Sequence, residues 1–455
     1  MRNITAIALI AIRNAIRSRI VLGLLCGLLL VLIGVPLTLH SDGTLAGHVR
    51  LLLRYTLGLA TLLLSVATVW AACAAISTEI RDRQIQMVLS KPVRAVEIWL
   101  GKWLGLTALN AVLLCVCLAV TYGALRWTTR PGQWPDTELE SLRSELLAAR
   151  QPLSPRPFDV EQEVMQRFQS ARASGELPVD LPDAEILPQI ERMVRVQRNA
   201  IASGEQLQWV FDLPGRPADD QPLIVRYRFS LSDWDTAPLS GRWSAGSADA
   251  DQRFILDVMD APRTWHRIAL DPGLIAPDGT LTLAFANLDE RPISVLFDPE
   301  DGVQLMVYQS GFLPNYLRAG LLILFHLAFL AAIGLTAGAF FSVPVAALTS
   351  FYALLLLNAG RLLQRMAERD IRLARDEIGR LHYQLAELSR YAYAALNALV
   401  QPVYATNPLD VIAAGEWLGW SQVGSTFVIK IVLYSGVLAW LGSRHLARKE
   451  VALPL

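Results

Sequence analysis

The 455-residue chain is poor in cysteine and has none outside its apolar runs: Cys26, Cys73, Cys115 and Cys117 all sit in such runs. The polar middle of the chain therefore has no thiol for a disulfide or a thiolate metal site, and the four cysteines read as packing residues. His40, His48, His266, His326, His382 and His445 are scattered and the methionines form no cluster, so neither a zinc nor a copper site is expected. There is no G-x-x-x-x-G-K-[ST] loop, because Val96 stands where Gly101-Lys102 would need its first glycine and Trp103 follows the lysine. Nucleophile elbows and H-E-x-x-H are absent too. No enzyme chemistry of the chain's own, and no cofactor, is expected. The charge is balanced, 41 basic against 41 acidic residues, with no long run of one sign, which gives no footprint for nucleic acid.

What is abundant is apolar surface. Hydrophobic residues make up 53% of the chain and the mean hydropathy is +0.36, too apolar for a soluble enzyme, yet 18% is charged. This is the composition of a membrane protein with a large aqueous part. Runs long enough to cross a bilayer lie at residues 20–39, 56–76, 103–127, 316–341, 343–358 and 424–441. The fifth is short, and the uncharged turn Phe341-Ser342-Val343-Pro344 makes the fourth and fifth a tight hairpin. The first run follows a basic stretch, as a signal peptide does, but it has the length of a full span and no small-x-small cleavage site follows it.

Arg13, Arg17 and Arg19, the segment from Arg81 to Lys102, and Arg444, Arg448 and Lys449 fall on one side of a six-span layout. The positive-inside rule makes that side cytoplasmic, with both termini inside, although Arg50 and Arg54 count against it. Residues 1–19 form an amphipathic helix with Ile4, Ile7, Ala8, Ala11, Ile12, Ala15 and Ile16 on one face and Arg2, Arg13 and Arg17 on the other. Spans one to three occupy 20–127, spans four and five 316–359 and span six 424–443, before a cytoplasmic tail, 444–455.

Between the third and fourth spans, residues 128–206 read as short helices, with faces Leu139/Leu142/Leu146, Val160/Val164/Phe168 and Ile186/Ile190/Met193, broken by Pro152, Pro155, Pro157, Pro178, Pro182 and Pro188. Residues 207–315 change to strand period. Leu223, Val225, Tyr227, Phe229 and Leu231 alternate with Ile224, Arg226, Arg228 and Ser230, and Pro277-Asp278-Gly279 is a turn. About seven short strands predict an antiparallel β-sandwich. Residues 360–423 read as an outer helical stalk and a re-entrant segment: Ile371, Ala374, Ile378, Leu381, Leu385, Leu388, Ala392, Ala395 and Leu399 keep a heptad register that Pro402 and Pro408 end. The fold class is thus an α-helical polytopic membrane protein of six spans, with an α+β insert on the non-cytoplasmic side.

The most telling stretch is residues 77–102, between the second and third spans. Glu79, Arg81, Asp82 and Arg83 open a short helix, Ile85, Val88 and Leu89 give it an apolar stripe, Pro92 stops it, and Val93-Arg94 lead towards Gly101-Lys102 and the next span. One reading is a solvated loop whose charges fix topology. The other is a docking helix. The pattern from Glu79 to Lys102 resembles the corresponding loop of ABC-2-type ABC transporter permeases. The resemblance implies that Glu79, Arg81, Asp82, Arg83, Ile85, Leu89, Pro92 and Arg94 dock on a separate cytoplasmic ABC ATPase subunit, which binds the ATP. It further implies pairing with a second permease subunit, as homo- or heterodimer, a bacterial inner (plasma) membrane, and export or flipping of a substrate. The amphipathic N-terminal helix matches the family's elbow helix, whose role there is to flank the ATPase contact; a plain membrane anchor reads equally well. The resemblance covers the six-span frame and not the outer insert, so a membrane receptor or scaffold with a ligand- or protein-binding outer domain is the competing reading.

Two ionisable residues lie within spans, where burial of charge costs several kcal/mol and marks function by default. His326 is near mid-depth and reads either as a neutral packing residue or as lining a translocation path; Lys430 reads either as snorkelling to the interface or as lining the same path. In the insert, Trp234, Trp243 and Trp265 beside Asp233, Asp235 and Arg242 are a mixture that could take a sugar or an extracytoplasmic protein, with Trp234, Asp233, Arg242 and Trp243 as the candidate outer ligand site. Core packing of the tryptophans is the alternative.

Overall fold

The computed structural model describes residues 2–38, 43–81, 94–174, 183–213, 221–233, 236–246, 254–299, 301–358, 380–404 and 407–448. It divides into a helical unit, Met1–Leu146 with Gly311–Leu455, and a second unit, Leu147–Ser310, that carries the sheets.

In the helical unit, α1 is Arg2–Arg17, α2 Arg19–Thr38, α3 Leu45–Arg81, α4 Ala95–Thr128 and α5 Asp136–Glu145. After the sheets come α8 Phe312–Phe340, α9 Val343–Asn358, α10 Arg380–Tyr404, α11 Pro408–Ala414 and α12 Trp420–Arg448. Five of these, α2, α3, α4, α8 and α12, are long and apolar enough to cross a membrane, so the chain is a membrane protein. The predicted fifth span coincides with α9, whose 16 residues reach only about 24 Å at 1.5 Å each. Its partner α8 is the central helix, with 72% of its most apolar stretch buried against 17% for α2.

Small residues let these helices approach closely. A Cβ on Gly334 of α8 would lie 2.7 Å from the Ala72 Cβ of α3, and one on Gly338 would lie 2.7 Å from the Cys73 carbonyl. Glycines four apart on one helix face thus admit a neighbouring backbone, the packing that replaces hydrophobic driving force in lipid. At the other end of the bundle, α11 is tied down by polar contacts. Asn315 Nδ2 donates to the Glu416 carbonyl and its Oδ1 accepts from Leu418 N, both at 2.8 Å. Arg50 donates to the Ala413 carbonyl (3.3 Å) and Arg54 pairs with Asp410 (3.3 Å). The two arginines that sat awkwardly in the topology count therefore have a structural task.

The second unit holds eleven strands among the described residues, more than the seven expected. They are β1 Ala148–Leu153, β2 Ala200–Ile201, β3 Gln206–Asp212, β4 Leu223–Tyr227, β5 Phe229–Leu231, β6 Leu239–Ala245, β7 Phe254–Asp260, β8 His266–Leu270, β9 Thr280–Asn287, β10 Val295–Phe297 and β11 Val303–Gly311. They form three sheets, ordered β1-β11-β4-β8, β2-β10-β5 and β3-β9-β6-β7, and every pairing of known register among them is antiparallel. The predicted inward set Leu223, Val225, Tyr227, Phe229 and Leu231 is buried in one core with Trp209, Phe211, Trp243, Phe285 and Phe297. The run is nevertheless two strands: at Arg228, whose N–H donates to the Gly302 carbonyl (2.9 Å), the chain leaves one sheet for another without losing its inward phase. Gly279, at φ 82°, closes the predicted Pro277-Asp278-Gly279 turn.

The helices between α4 and the sheets do not form one segment. Leu45 N donates to Glu138 of α5 (3.0 Å), so α5 belongs to the helical unit. The helices α6 (Glu161–Ala173) and α7 (Asp183–Arg198) belong with the sheets, packing Val160, Val164 and Phe168 against Ile186, Ile190 and Val194. Val194 takes the place expected for Met193, which is 50% exposed. Pro188 lies inside α7 and Pro402 inside α10, where breaks were expected. Of the expected stalk heptad, residues 371–379 lie outside the described residues, and Leu388 is exposed.

Candidate functional site

The expected docking segment is entered from α3 and left through α4. Asp82, Arg83, Ile85, Leu89 and Pro92 lie outside the described residues. Its two flanks are well defined. Arg81 is exposed at the last residue of α3. Arg94 is the exposed N-cap of α4, with extended backbone (φ −77°, ψ 146°), and its N–H is received by Glu97 Oε2 at 3.2 Å, which supplies half of a capping box.

Glu79 points elsewhere than its charge suggested. It lies in the last turn of α3, and its Oε2 sits 2.5 Å from Nζ of Lys102, a side chain only 4% exposed. Lys102 Nζ also donates to the Ala75 carbonyl of α3. An ammonium removed from water is tolerable here only because a carboxylate and a carbonyl surround it. The pair thus joins the feet of α3 and α4 directly across the intervening segment.

The first two turns of α4 are held on their other sides as well. Ideal Cβ atoms on Gly101 and Gly105 would lie 2.8 Å from Ile7 Cβ and 2.5 Å from the Ala8 carbonyl oxygen, so α1 lies against this stretch of α4 almost backbone to backbone. The face of α1 used is the predicted one, with Ala11 and Ala15 buried, but Ile16 is 44% exposed with Leu9 and Ile10, giving α1 a second apolar face. Trp99 is buried, stacks on Trp103 at 6.3 Å and abuts Gly442 of α12. Trp103 Nε1 donates to the Ala328 carbonyl of α8 at 2.8 Å. Ser77 donates to the carbonyls of Gly338 (2.9 Å) and Phe341 (3.0 Å), tying α3 to the α8–α9 turn. Lys102 closes the pattern on sequence without a partner assigned to it, and Gly105 and the Gly334/Gly338 pair were not singled out, although G-x-x-x-G at 101–105 and 334–338 was the available signal.

Deeper in the bundle, Lys430 is 4% exposed and lies in a π-helical stretch of α12, Val428–Tyr434. Val428, Val432 and Leu433 of the same stretch are exposed, so the Lys430 side chain lies on the covered side of α12. Ser435 Oγ receives no stray role: it donates to the Lys430 carbonyl at 2.8 Å, one of the backbone acceptors that π geometry displaces. The facing stretch of α8 packs on α12 through Phe325 against Phe427 (5.4 Å) and Phe329 against Tyr434 (5.8 Å), so His326 and Lys430 are carried by the two packed helices at the same level.

The four residues of the outer ligand site do not come together. Trp243 is wholly buried in the aromatic core, with ring centres of Tyr227 at 4.6 Å and Phe285 at 4.9 Å, and cannot meet an external ligand. The strand alternation that buries it turns Arg242 outward, where it holds both oxygens of Asp257 (2.6 and 3.0 Å) and keeps that carboxyl below the usual carboxylate range. Asp233 is exposed and Trp234 lies outside the described residues. Among the described tryptophans of the second unit the exposed one is Trp265, whose ring centre lies 4.7 and 4.6 Å from the Arg226 and Arg228 guanidiniums. Beside it, buried Tyr227 donates to Asp260, which also faces His266 Nδ1 at 3.3 Å; burial and then this carboxylate push the phenol far above its ordinary range. Among the described residues, no group of three or more His, Cys, Asp or Glu side chains is placed to hold a metal ion. Comparison with family models, with curated proteins and with solved structures returned no match.

Proposed function

We propose that this chain is the transmembrane subunit of an ATP-driven transporter of the ABC-2 type, and that residues 82–93 receive the motion of a separate cytoplasmic ATPase. The observation that carries this reading is the buried Glu79–Lys102 pair. A push on a loop moves spans only if the loop's two ends belong to one stiff body. Here the ends are α3 and α4, locked by that pair, with α1 seated on Gly101 and Gly105 and Trp99 wedged against α12. Displacement of the segment would be delivered to α3, α4 and α1 together. In this reading α9 is the fifth of six spans, the termini are cytoplasmic, and Leu147–Ser310 is extracytoplasmic, with its sheets packed as an antiparallel sandwich. The subunit pairs with a second permease, and the ATP is held by the ATPase partner.

The test is co-expression with an ABC ATPase encoded beside it. The complex should co-purify, and Arg83→Glu should lower ATP turnover in the complex while leaving insertion of the chain unchanged. Full turnover in that variant would remove the segment from the coupling path.

A second reading, a receptor or scaffold, is favoured by one observation. Strand β7 is the last of its sheet, with Ile255 63% and Met259 73% exposed, a strand edge open to a protein partner. A folded outer unit that captures a periplasmic protein in a chain that binds no ATPase would favour it.

A further inference from the structure

Where α8 and α12 begin, the fold fixes a guanidinium without neutralising it. Asn315 of α8 holds the Glu416 carbonyl and Leu418 N, and Arg318, one turn on, donates from Nη1 to the Leu418 carbonyl at 3.1 Å. Leu418 is thus gripped at both of its backbone groups. Trp420, two residues further, is thereby set with its ring centre 5.2 Å from the Arg318 guanidinium carbon. Among the described residues no carboxylate reaches Arg318, whereas Arg54 nearby in the bundle has Asp410. Its Nε is buried and bonded to nothing, and Nη2, equally without an acceptor, is not sealed off. A partly buried side chain, held in one place, therefore presents its positive charge outward.

Beyond this guanidinium the two helices leave a notch. Arg318, Leu321 and Phe325 share one face of α8, and Trp420, Gly424 and Phe427 share one face of α12, by the three-and-four spacing of a helix. The rows touch at both ends, Arg318 on Trp420 and Phe325 on Phe427 (5.4 Å). They leave the middle open: a Cβ on Gly424 would meet nothing within 4 Å, and Leu321, the middle residue of the α8 row, is exposed. Height in the bilayer follows from a second pair. Trp440 lies about 30 Å farther along α12 at about 1.5 Å per residue, the thickness of a hydrocarbon core, and it too is exposed and stacked on an arginine, Arg444 (5.2 Å). The two tryptophans mark the two headgroup levels, which puts Arg318 at the height of lipid phosphates and the notch at the height of their chains.

We infer that Arg318 and Trp420 form a binding site for an anionic phospholipid, with its phosphate on the Arg318 guanidinium and an acyl chain laid in the notch at Gly424. The site rests on α8 and α12 being spans, and under the topology proposed above its lipid comes from the extracytoplasmic leaflet. Guanidinium and phosphate make charge-assisted hydrogen bonds, and the free Nη2 supplies the donors. An anionic headgroup fits better than a zwitterionic one, because the site has no carboxylate to receive a choline or ethanolamine cation.

The test uses the purified full chain in dodecyl maltoside without any ATPase, so its outcome depends neither on residues 82–93 nor on which side of the membrane faces out. Dioleoylphosphatidylglycerol, dioleoylphosphatidylcholine, dioleoylglycerol and glycerol 3-phosphate are titrated in turn, with bound ligand counted by native mass spectrometry. Phosphatidylglycerol is expected to bind at least about tenfold more tightly than the other three, and to lose about tenfold in affinity in Arg318→Gln but nothing in Arg444→Gln. Gly424→Leu fills the notch and leaves the grip on Leu418 intact. It should weaken the same lipid severalfold, and it tests the site even where loss of Arg318 unfolds the chain. Equal binding of phosphatidylcholine, of dioleoylglycerol or of free glycerol 3-phosphate would overturn the assignment, as would undiminished phosphatidylglycerol binding in Arg318→Gln or Gly424→Leu.

Discussion

Removing the charge of Glu79 should destabilise the helical unit far more than an end-of-helix carboxylate normally does. In Glu79→Gln the Lys102 ammonium, 4% exposed, keeps only the Ala75 carbonyl. Breaking a buried pair from one side typically costs about 3–5 kcal/mol, because the surviving charge is left uncompensated. Glu79 itself is 18% exposed, so water reaches the edge of the pair, and the lower end, about 3 kcal/mol or roughly two powers of ten in the folding equilibrium, is the expected loss. Lys102→Met leaves the better-hydrated carboxylate behind and should lose less. The double variant Glu79→Gln, Lys102→Met removes both charges and should recover most of the loss, giving a coupling of about 2 kcal/mol in the cycle. The assay is unfolding of the four proteins in mixed detergent micelles titrated with dodecyl sulfate, read by tryptophan fluorescence and by protease sensitivity. Additive single effects, or a Glu79→Gln loss within about 0.5 kcal/mol, would show that the pair is not a structural lock.

Gly105→Leu should lever α1 off α4, since even a Cβ would fall 2.5 Å from the Ala8 carbonyl oxygen; trypsin cleavage at Arg13 and Arg17 should accelerate, with an overpacking loss of about 1–3 kcal/mol. In a background freed of the native cysteines, Ser174→Cys should react with an impermeant thiol reagent added to intact spheroplasts and Arg94→Cys only after permeabilisation; the reverse pattern would invert the topology. Asp289 is gripped by the Arg291 guanidinium through both oxygens (2.7 Å each) and by the N–H groups of Arg291 and Ser240, which hold its carboxyl well below the carboxylate range. Its folded value being depressed, its contribution is complete above the unfolded value of about 3.9 and is lost as pH falls from there towards the folded value. Unfolding of the sheet unit should therefore steepen below about pH 4, and Asp289→Asn should remove that part of the slope.

The long apolar runs were legible because a helix of membrane length needs only composition, and the inward set of β4 and β5 was legible because side chains alternate with period two. The sheet switch at Arg228 was invisible, since the alternation continues in phase across it. Strand β1 was missed for a local reason: Ala148-Ala149-Arg150-Gln151-Pro152-Leu153 contains no β-branched or aromatic residue. At the site, His326 and Lys430 could be picked out singly because charge in a span is rare; that the helices carrying them pack together, through Phe325 with Phe427 and Phe329 with Tyr434, was not readable from spacing. Glu79 reads as exposed on sequence because it neighbours other charges; its direction is decided by Lys102, on the far side of the intervening segment. Trp243 illustrates the converse, an aromatic flanked by polar residues that strand alternation sends into the core.

The most direct measurement is photocrosslinking from within the segment itself, with benzoylphenylalanine placed at Gln86 in native membranes and the adduct identified by mass spectrometry. The account predicts a crosslink to a cytoplasmic protein carrying its own Walker A motif, lost when the label is moved to Ser174 in the outer unit. A crosslink from Gln86 to no ATPase, or capture of the same protein from Ser174, would contradict it.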